Sequence, residues 1–380
     1  MPDIQIALGD ALGRTLAQDI SAQRDQPPFA AAAMDGYAVR ASDSPRRLHL
    51  IGQSSAGAGF KGRVEEGQTV RIFTGAPLPQ GSDSVVIQED VIATGDQIDV
   101  PATCLGHHVR AQGIDFTAGT QLLTRGQMLD PIALALVAAT GLDHLIVARR
   151  PKIAILTGGE EIVIPGGQLG PYQVFDSIST GLAALVQTWG ADVITFAPRR
   201  DALSALEEGI RAAFLDADLV IAVGGASVGD HDLMKPALAA FKPHFRVNKI
   251  AMRPGKPLWF ATTDLGPVLG LPGNPASALV CAYLFLAPVI AKMLSRPVIE
   301  DLPQARLARA LPANGPREHY LRANGHTDAT GQRWITPCED QDSSLLSVFQ
   351  SANALIQCAP NCPPLAAGHS VSFIDLARMV

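Results

Sequence analysis

The fold class of this 380-residue chain is indicated by the segments KIAILTGGEE (residues 152–161), LVIAVGG (219–225) and PVLGLPGNPASA (267–278). Each begins with a short apolar run that is followed at once by glycine and polar residues, and segments of helical periodicity lie between them. Alternating strands and helices predict a mostly parallel sheet that is covered by helices on both faces. Because such sheets bind ligands at the carboxyl ends of their strands, we expect the functional residues in these loops.

The regions on either side of this core have a different pattern. Residues 45–106 consist of short strand-like pieces between Gly, Pro and Asp clusters, which predicts a small β insert. Its strands are predicted at 48–51, 68–73, 84–88 and 97–100. After about residue 302 short strands and turns return, which predicts a separate C-terminal β domain.

Two helices are predicted before the α/β region. Segment 10–20 has apolar residues on one helical face and an acidic residue at its start. Segment 129–141 offers Asp130 as N-cap, Pro131 at the first helical position and Gly141 as the stop. Further helices are predicted at 178–189, at 202–214, from about 232 and from 275.

Composition excludes several classes of function. Thirty basic and 36 acidic residues give a net charge of −6, which argues against a general nucleic-acid binder. The five cysteines form no Cys-x-x-Cys pair, which is typical of a protein in the reducing cytoplasm, and no signal peptide is evident. The apolar run 276–290 is shorter than the ~20 residues that cross a bilayer, which predicts a buried helix and no membrane span.

Two glycine-rich loops at strand ends suit an anion. Backbone N–H groups of such loops, and of the helices that follow them, bind phosphates and other oxyanions. The candidates are Gly224, Gly225, Ser227, Gly229, Pro272, Gly273, Asn274 and Ser277. The alternative, tight turns in which Asp or Asn274 only caps the next helix, stays open at this point.

Charged residues near these loops are candidates for metal and anion binding. Asp230 and Asp232 lie two residues apart in a glycine-rich loop, a pattern that suits Mg²⁺. Further carboxylates are Glu160 in a third strand-end loop and Asp176 at the start of the next helix. Lys249, Arg253 and Lys256 occur in NKIAMRPGKP (248–257), where the last two lie among Pro and Gly and favour anion binding. The histidines show no metal-ligand spacing and no nucleophilic partner, so we assign them no catalytic role.

Eight motifs, in this order, carry a resemblance to a known family. MDGYAVR, IFTGAPLPQGSDSVVIQED, QGIDF, ILTGGEEI, VFDS, GGASVGDHD, RPGKP and LPGNPASA resemble the molybdopterin molybdenumtransferases of molybdenum-cofactor biosynthesis, which are related to the gephyrin E domain. The resemblance covers about residues 5–360. It implies a multi-domain α/β plus β fold with four parts. These are a discontinuous N-terminal domain (1–44 and 107–150), an inserted β domain (45–106), a central three-layer α/β molybdopterin-binding domain (151–298) and a C-terminal β domain (299–380).

The resemblance also implies the reaction and its components. Members insert molybdate into adenylylated molybdopterin with release of AMP, and they depend on Mg²⁺. They work as homodimers, and their expected partners are a molybdopterin adenylyltransferase and acceptor molybdoenzymes. The catalytic residues it implies are Asp35, Asp115, Glu160, Asp230, Asp232 and Lys256. The metal ligands are Glu160, Asp176, Asp230 and Asp232. Besides the loop residues named above, the cofactor-binding residues are Thr74, Lys249, Arg253, Ser343 and Ser347.

One four-residue segment and three single positions depart from the family pattern and support a second hypothesis. Residues 30–33 are all alanine where the family has Asn and Ser, Gly159 replaces an aspartate, and Ile178 replaces an asparagine. Arg253 stands where lysine is frequent. The alternative is therefore a non-catalytic or divergent paralogue that binds the molybdenum cofactor or delivers it to a molybdoenzyme.

Overall fold

The computed structural model describes residues 1–196, 198, 202–224, 233–298 and 301–376. The chain divides into two compact units. The N-terminal unit comprises Gln5–Leu12 and Gln18–Leu145, and the main unit comprises Met1–Ile4, Gly13–Ala17 and Ile146–Val380.

The first part of the chain is mostly β structure. Its strands are β1 (Asp3–Ala7), β2 (Ile20–Ser21), β3 (Ala31–Ala32), β4 (Gly36–Val39), β5 (Arg46–Ser54), β6 (Gln68–Ile72), β7 (Ser84–Ile87), β8 (Ile92–Thr94), β9 (Gln97–Val100), β10 (Val109–Arg110), β11 (Gln121–Leu123) and β12 (His144–Ala148), with one helix, α1 (Pro131–Thr140). Six of these strands form one sheet in the order β7-β4-β6-β5-β9-β8. The strands predicted within 45–106 are confirmed. The sheet also contains β4, which lies before residue 45, because β4 pairs with both β6 and β7.

Local signals were decisive for α1 and misleading for segment 10–20. The Asp130 side chain accepts a hydrogen bond from the Ala133 amide at 2.7 Å, and Gly141 ends the helix with φ of 89°. The helix predicted over 10–20 is wrong. Only a 3₁₀ turn at Leu8–Asp10 forms, because Gly13 is in the left-handed region (φ 70°), which interrupts a right-handed helix.

The central sheet is the one that the apolar runs predicted. Its strands are β13 (Lys152–Thr157), β16 (Asp192–Thr195), β17 (Leu219–Val223), β18 (His244–Val247), β20 (Trp259–Thr262) and β21 (Pro267–Leu271), in the order β16-β13-β17-β21-β20-β18. Between and beside them lie β14 (Ile162–Val163), β15 (Val174–Phe175), β19 (Met252–Arg253), α2 (Ser177–Thr188), α3 (Leu203–Ala213), α4 (Met234–Leu238), α5 (Pro275–Cys281) and α6 (Ala287–Met293). The first four strands of the sheet are mutually parallel, and β20 and β18 are antiparallel to their neighbours.

Helices cover both faces of this sheet. Ile153 and Ile155 of β13 pack with α2, α5 and α6, whereas Ala154 and Leu156 pack with α3 and α4. The helical stretch Pro275–Met293 is long and apolar enough to span a membrane, but 56% of it is buried within this core. The prediction of a buried helix is therefore confirmed.

The C-terminal region is a small closed barrel. Its strands are β22 (Gln304–Leu307), β23 (Glu318–Thr327), β24 (Arg333–Pro337), β25 (Ala354–Cys358) and β26 (Ser370–Asp375), and α7 (Leu346–Ser351) precedes β25. The order β23-β24-β22-β26-β25 closes because β25 also pairs with β23. The short strand β19 adds to β23 in parallel, so the segment before Lys256 is held by the barrel. This pairing positions the cleft described next.

Candidate functional site

Three strand ends of the central sheet meet at one edge. Thr157 at the end of β13 is in register with Val223 of β17, which is in register with Leu271 of β21. The loops that follow are so close that a Cβ on Gly224 would lie 3.3 Å from the Gly158 carbonyl oxygen. They form one wall of a cleft of about 1230 Å³, and the C-terminal barrel contributes the other wall.

The cleft brings together much of the predicted binding set. The residues that line it are Gly224, Arg253, Lys256, Pro272, Gly273, Asn274, Ser277 and Ser343. Lys249 and Ser347 are exposed and do not line it. Gly225, Ser227, Gly229, Asp230 and Asp232 lie outside the described residues, so their predicted roles stay predictions.

The cation-bearing loop RPGKP packs tightly on helix α5. Gly255 has a φ of 108°, and a Cβ at this position would lie 2.4 Å from the Cys281 Sγ atom. Only glycine fits this approach, and it holds Arg253 and Lys256 at the rim. Among the described residues, the Lys256 ammonium has no hydrogen bond or ion pair, which leaves it available to an anion.

Arg253 has a partner that sequence reasoning missed. Its Nη2 atom is 2.9 Å from Nδ1 of His319, in β23. Because arginine only donates, the His319 Nδ1 atom accepts, and a neutral ring carries its proton on Nε2. His319 is buried, and this desolvation, with the charges of Arg253, Arg317 and Arg322, lowers its pKa to about 4. No local sequence signal indicates this pair, since 66 residues separate its members.

The His319 pKa predicts a specific loss of stability in acid. Below pH 6.5 the unfolded chain binds a proton at this histidine, whereas the folded chain does not until about pH 4. The free energy of unfolding should therefore fall as the pH falls through this window, by about 2 kcal/mol at pH 5 from this group. Urea unfolding at pH 7.5 and pH 5 measures it, and His319→Asn should lose correspondingly less stability. Equal losses in the two proteins would contradict the prediction.

Asn274 and Ser343 join the two walls of the cleft. The Asn274 Nδ2 atom donates to Ser343 Oγ at 2.8 Å, and the Ala276 amide donates to the Ser343 carbonyl oxygen at 3.0 Å. The hypothesis that the Asn274 side chain caps the helix is wrong, because it makes no capping bond. The barrel loop provides an acceptor for the first turn of α5 instead.

Asp176 serves the fold of its own helix. One carboxylate oxygen accepts from the Ser179 amide at 2.9 Å and the other accepts from Thr157 Oγ1 at 3.3 Å. The residue is buried and borders a smaller cavity of about 170 Å³ beside the main cleft. The bond to the Ser179 amide makes Asp176 the N-cap of α2, and its predicted role as a metal ligand stays a prediction.

The carboxylate of the β13 loop that lines the cleft is Glu161, the residue after the predicted Glu160. Glu160 is exposed, and its carbonyl oxygen accepts from the Gln173 side chain at 2.8 Å. A Cβ on Gly159 would lie 2.6 Å from Glu161 Oε2, so the glutamate lies where a side chain at 159 would begin. Among the described residues, no group of three His, Cys, Asp or Glu side chains is arranged to hold a metal ion.

The remaining predicted residues lie in the N-terminal unit. Asp35 Oδ1 accepts from both the amide and the hydroxyl of Thr74, each at 2.7 Å. These bonds hold the pKa of Asp35 below its usual value. Asp115 is exposed, and its amide donates to the Gln26 carbonyl oxygen at 3.0 Å. The motif residues Asp35 and Thr74 thus form one hydrogen-bonded pair.

Comparison with known proteins identifies the family. Family models match at residues 1–141 (MoeA N-terminal region, domain I and II), 154–292 (probable molybdopterin binding domain) and 304–376 (MoeA C-terminal region, domain IV). A molybdopterin molybdenumtransferase of Nostoc sp. is 38% identical over 334 residues, which are 84% of this chain and 77% of the relative. This chain belongs to the molybdopterin molybdenumtransferase family.

Two further relatives of this family match almost the whole chain. The molybdopterin molybdenumtransferase of Haemophilus influenzae is 33% identical over 96% of this chain and 92% of its own length. A solved molybdopterin biosynthesis MoeA protein from Pyrococcus horikoshii superposes with a TM-score of 0.85 at 30% identity, covering 99% of this chain and 94% of that one. The expected fold class is confirmed, and so is the assignment to a transferase family of molybdenum-cofactor biosynthesis.

Proposed function

We propose that this protein inserts molybdate into adenylylated molybdopterin and releases AMP. Family membership supports molybdenum insertion as the reaction class. The observation that carries the finer assignment is the cleft, in which the strand-end loops of the central sheet face Arg253 and Lys256. A cytoplasmic location and a homodimer belong to the same proposal, and five free cysteines support a reducing compartment.

Each wall of the cleft suits one part of the substrates. The glycine-rich strand-end loops, with Gly158, Gly159, Gly224 and Gly273, line one wall and suit the phosphates of the adenylylated pterin. Arg253 and Lys256 provide fixed positive charge for molybdate, a tetrahedral oxyanion. Charge neutralisation by these groups favours departure of AMP, because the leaving phosphate carries negative charge. No covalent protein nucleophile is required.

Mg²⁺ dependence is a separate part of the proposal. Among the described residues no three metal-ligating side chains come together, Glu160 does not line the cleft, and Asp176 caps α2. Glu161 lines the cleft alone among acidic side chains of that loop, and Asp230 and Asp232 are outside the described residues. The proposal of Mg²⁺ dependence therefore rests on the family resemblance.

A cofactor carrier of the same fold is the second candidate function. Gly159 and Ile178 motivate it, and Ile178 is buried in the core of the central domain, where it offers no polar group to a ligand. A carrier needs to bind the pterin but has no need to release AMP. The two functions are separated by turnover.

The test is AMP release from adenylylated molybdopterin with and without molybdate and Mg²⁺. Turnover that requires both ions supports the transferase, and tight pterin binding without AMP release, beside an active relative, supports the carrier. Lys256→Met should raise the half-saturating molybdate concentration about tenfold, because it removes a charged donor from the anion. Lys292→Met, an exposed lysine in α6, is the matched control and should behave like wild type. Unchanged molybdate dependence in Lys256→Met would contradict the assignment.

A further inference from the structure

The backbone register places a buried histidine beside the rim arginine. Arg253 in β19 is the direct partner of His319 in β23, so the two side chains leave paired positions of adjacent parallel strands. Both residues line the cleft, but they differ in burial: His319 is 8% exposed, whereas Arg253 is exposed at the rim. The buried His319 ring therefore lies next to Arg253, whose long side chain has many rotatable bonds.

We propose that His319 is a positioning residue, whose Nδ1 atom fixes the Arg253 guanidinium so that its remaining N–H groups face an oxyanion in the cleft. This inference rests on the proposed function, in which Arg253 binds molybdate. Arginine has five N–H donors in a rigid planar fork, and one bond to His319 leaves the others free. Among the described residues, the Arg253 guanidinium makes no other hydrogen bond or ion pair, so the histidine alone orients it there.

The surroundings of His319 keep it suited to this role. The positive charges of Arg253, Arg317 and Arg322 oppose protonation of the His319 ring. A neutral ring keeps its Nδ1 lone pair for Arg253. The contact does not serve to satisfy a buried charge, because the Arg253 side chain is already exposed to water. An orienting role explains the pair better than a stabilising one.

A double-mutant cycle on the full-length protein tests this inference. The variants are His319→Leu, which removes the acceptor, His319→Asn, whose Oδ1 replaces it at the same distance from the backbone, and Arg253→Ala with and without His319→Leu. The probe is radiolabelled molybdate alone, measured by equilibrium dialysis, with thermal melting of each variant. We expect His319→Leu to weaken molybdate binding about fivefold to tenfold. His319→Asn should bind within about twofold of wild type.

The cycle separates the possible failures. In the Arg253→Ala background, His319→Leu should have no further effect on molybdate binding, because the group that it positions is gone. An equal loss in both backgrounds, or no rescue by His319→Asn in a folded protein, would overturn the positioning role. If Arg253→Ala itself binds molybdate like wild type, the anion assignment in the proposed function fails instead. If His319→Leu has a lower melting temperature, the cycle is measured at a temperature at which this variant is folded. That measurement and the comparison with His319→Asn still test the positioning role.

Discussion

Arg322→Met will lower the free energy of unfolding by about 3 kcal/mol, since it removes a charged donor that makes three hydrogen bonds to carbonyl oxygens of one loop. The Arg322 side chain is 2% exposed. Its guanidinium donates to the carbonyl oxygens of Leu345 at 3.0 Å, Asp342 at 2.8 Å and Asp340 at 3.5 Å. Methionine fills a similar volume but offers no N–H group. Urea unfolding measures the loss.

The same substitution should also weaken the cleft. Arg322 holds the loop that carries Ser343, and Ser343 bonds to Asn274 and to the first turn of α5. We expect faster amide exchange in residues 340–345 and weaker molybdate binding at temperatures where the protein is folded. Arg306→Met is the control, because Arg306 is an exposed barrel arginine that also donates to a carbonyl oxygen, that of Gly368. If Arg322→Met and Arg306→Met lose similar amounts of stability, the buried position of Arg322 is not the cause of the loss.

Gly270→Ala will cost at least about 3 kcal/mol, at the upper end of the usual range for overpacking. Gly270 pairs with Trp259 across β21 and β20. An added Cβ would lie 1.9 Å from Trp259 Cε2 and 2.1 Å from its Nε1. The indole is fully buried in the core on the α3 and α4 side of the sheet, where close packing opposes its displacement.

The control for this prediction is Gly181→Ala in helix α2. A Cβ there would meet only Leu279 Cδ2, at an ordinary 3.4 Å. Because alanine favours a helix over glycine by about 1 kcal/mol, this variant should be as stable as wild type or more so. Adding Trp259→Leu to Gly270→Ala should cost less than the sum of the single changes, since the clash partner is gone. Additive losses would show that the indole is not the cause.

The elements whose causes are local could be predicted from the amino-acid sequence alone. Helix α1 formed as predicted because Asp130, Pro131 and Gly141 act within a few residues of it. The parallel sheet was predictable because fully apolar runs of strand length, separated by helical segments, have few other ways to be buried on both faces. The general rule for such sheets then placed the cleft at the ends of β13, β17 and β21.

Long-range pairing and packing determine which side chains meet in that cleft. The sequence indicated Arg253 but not His319, and Ser343 but not its bonds to α5, because strand register and domain packing bring these residues together across more than 60 positions. The bond from Thr157 to Asp176 joins residues 19 positions apart, and Glu161 rather than Glu160 lines the cleft because turn geometry selects which neighbouring side chain faces it. Local sequence patterns determine the helices and strands, whereas long-range pairing determines which side chains of different elements come into contact.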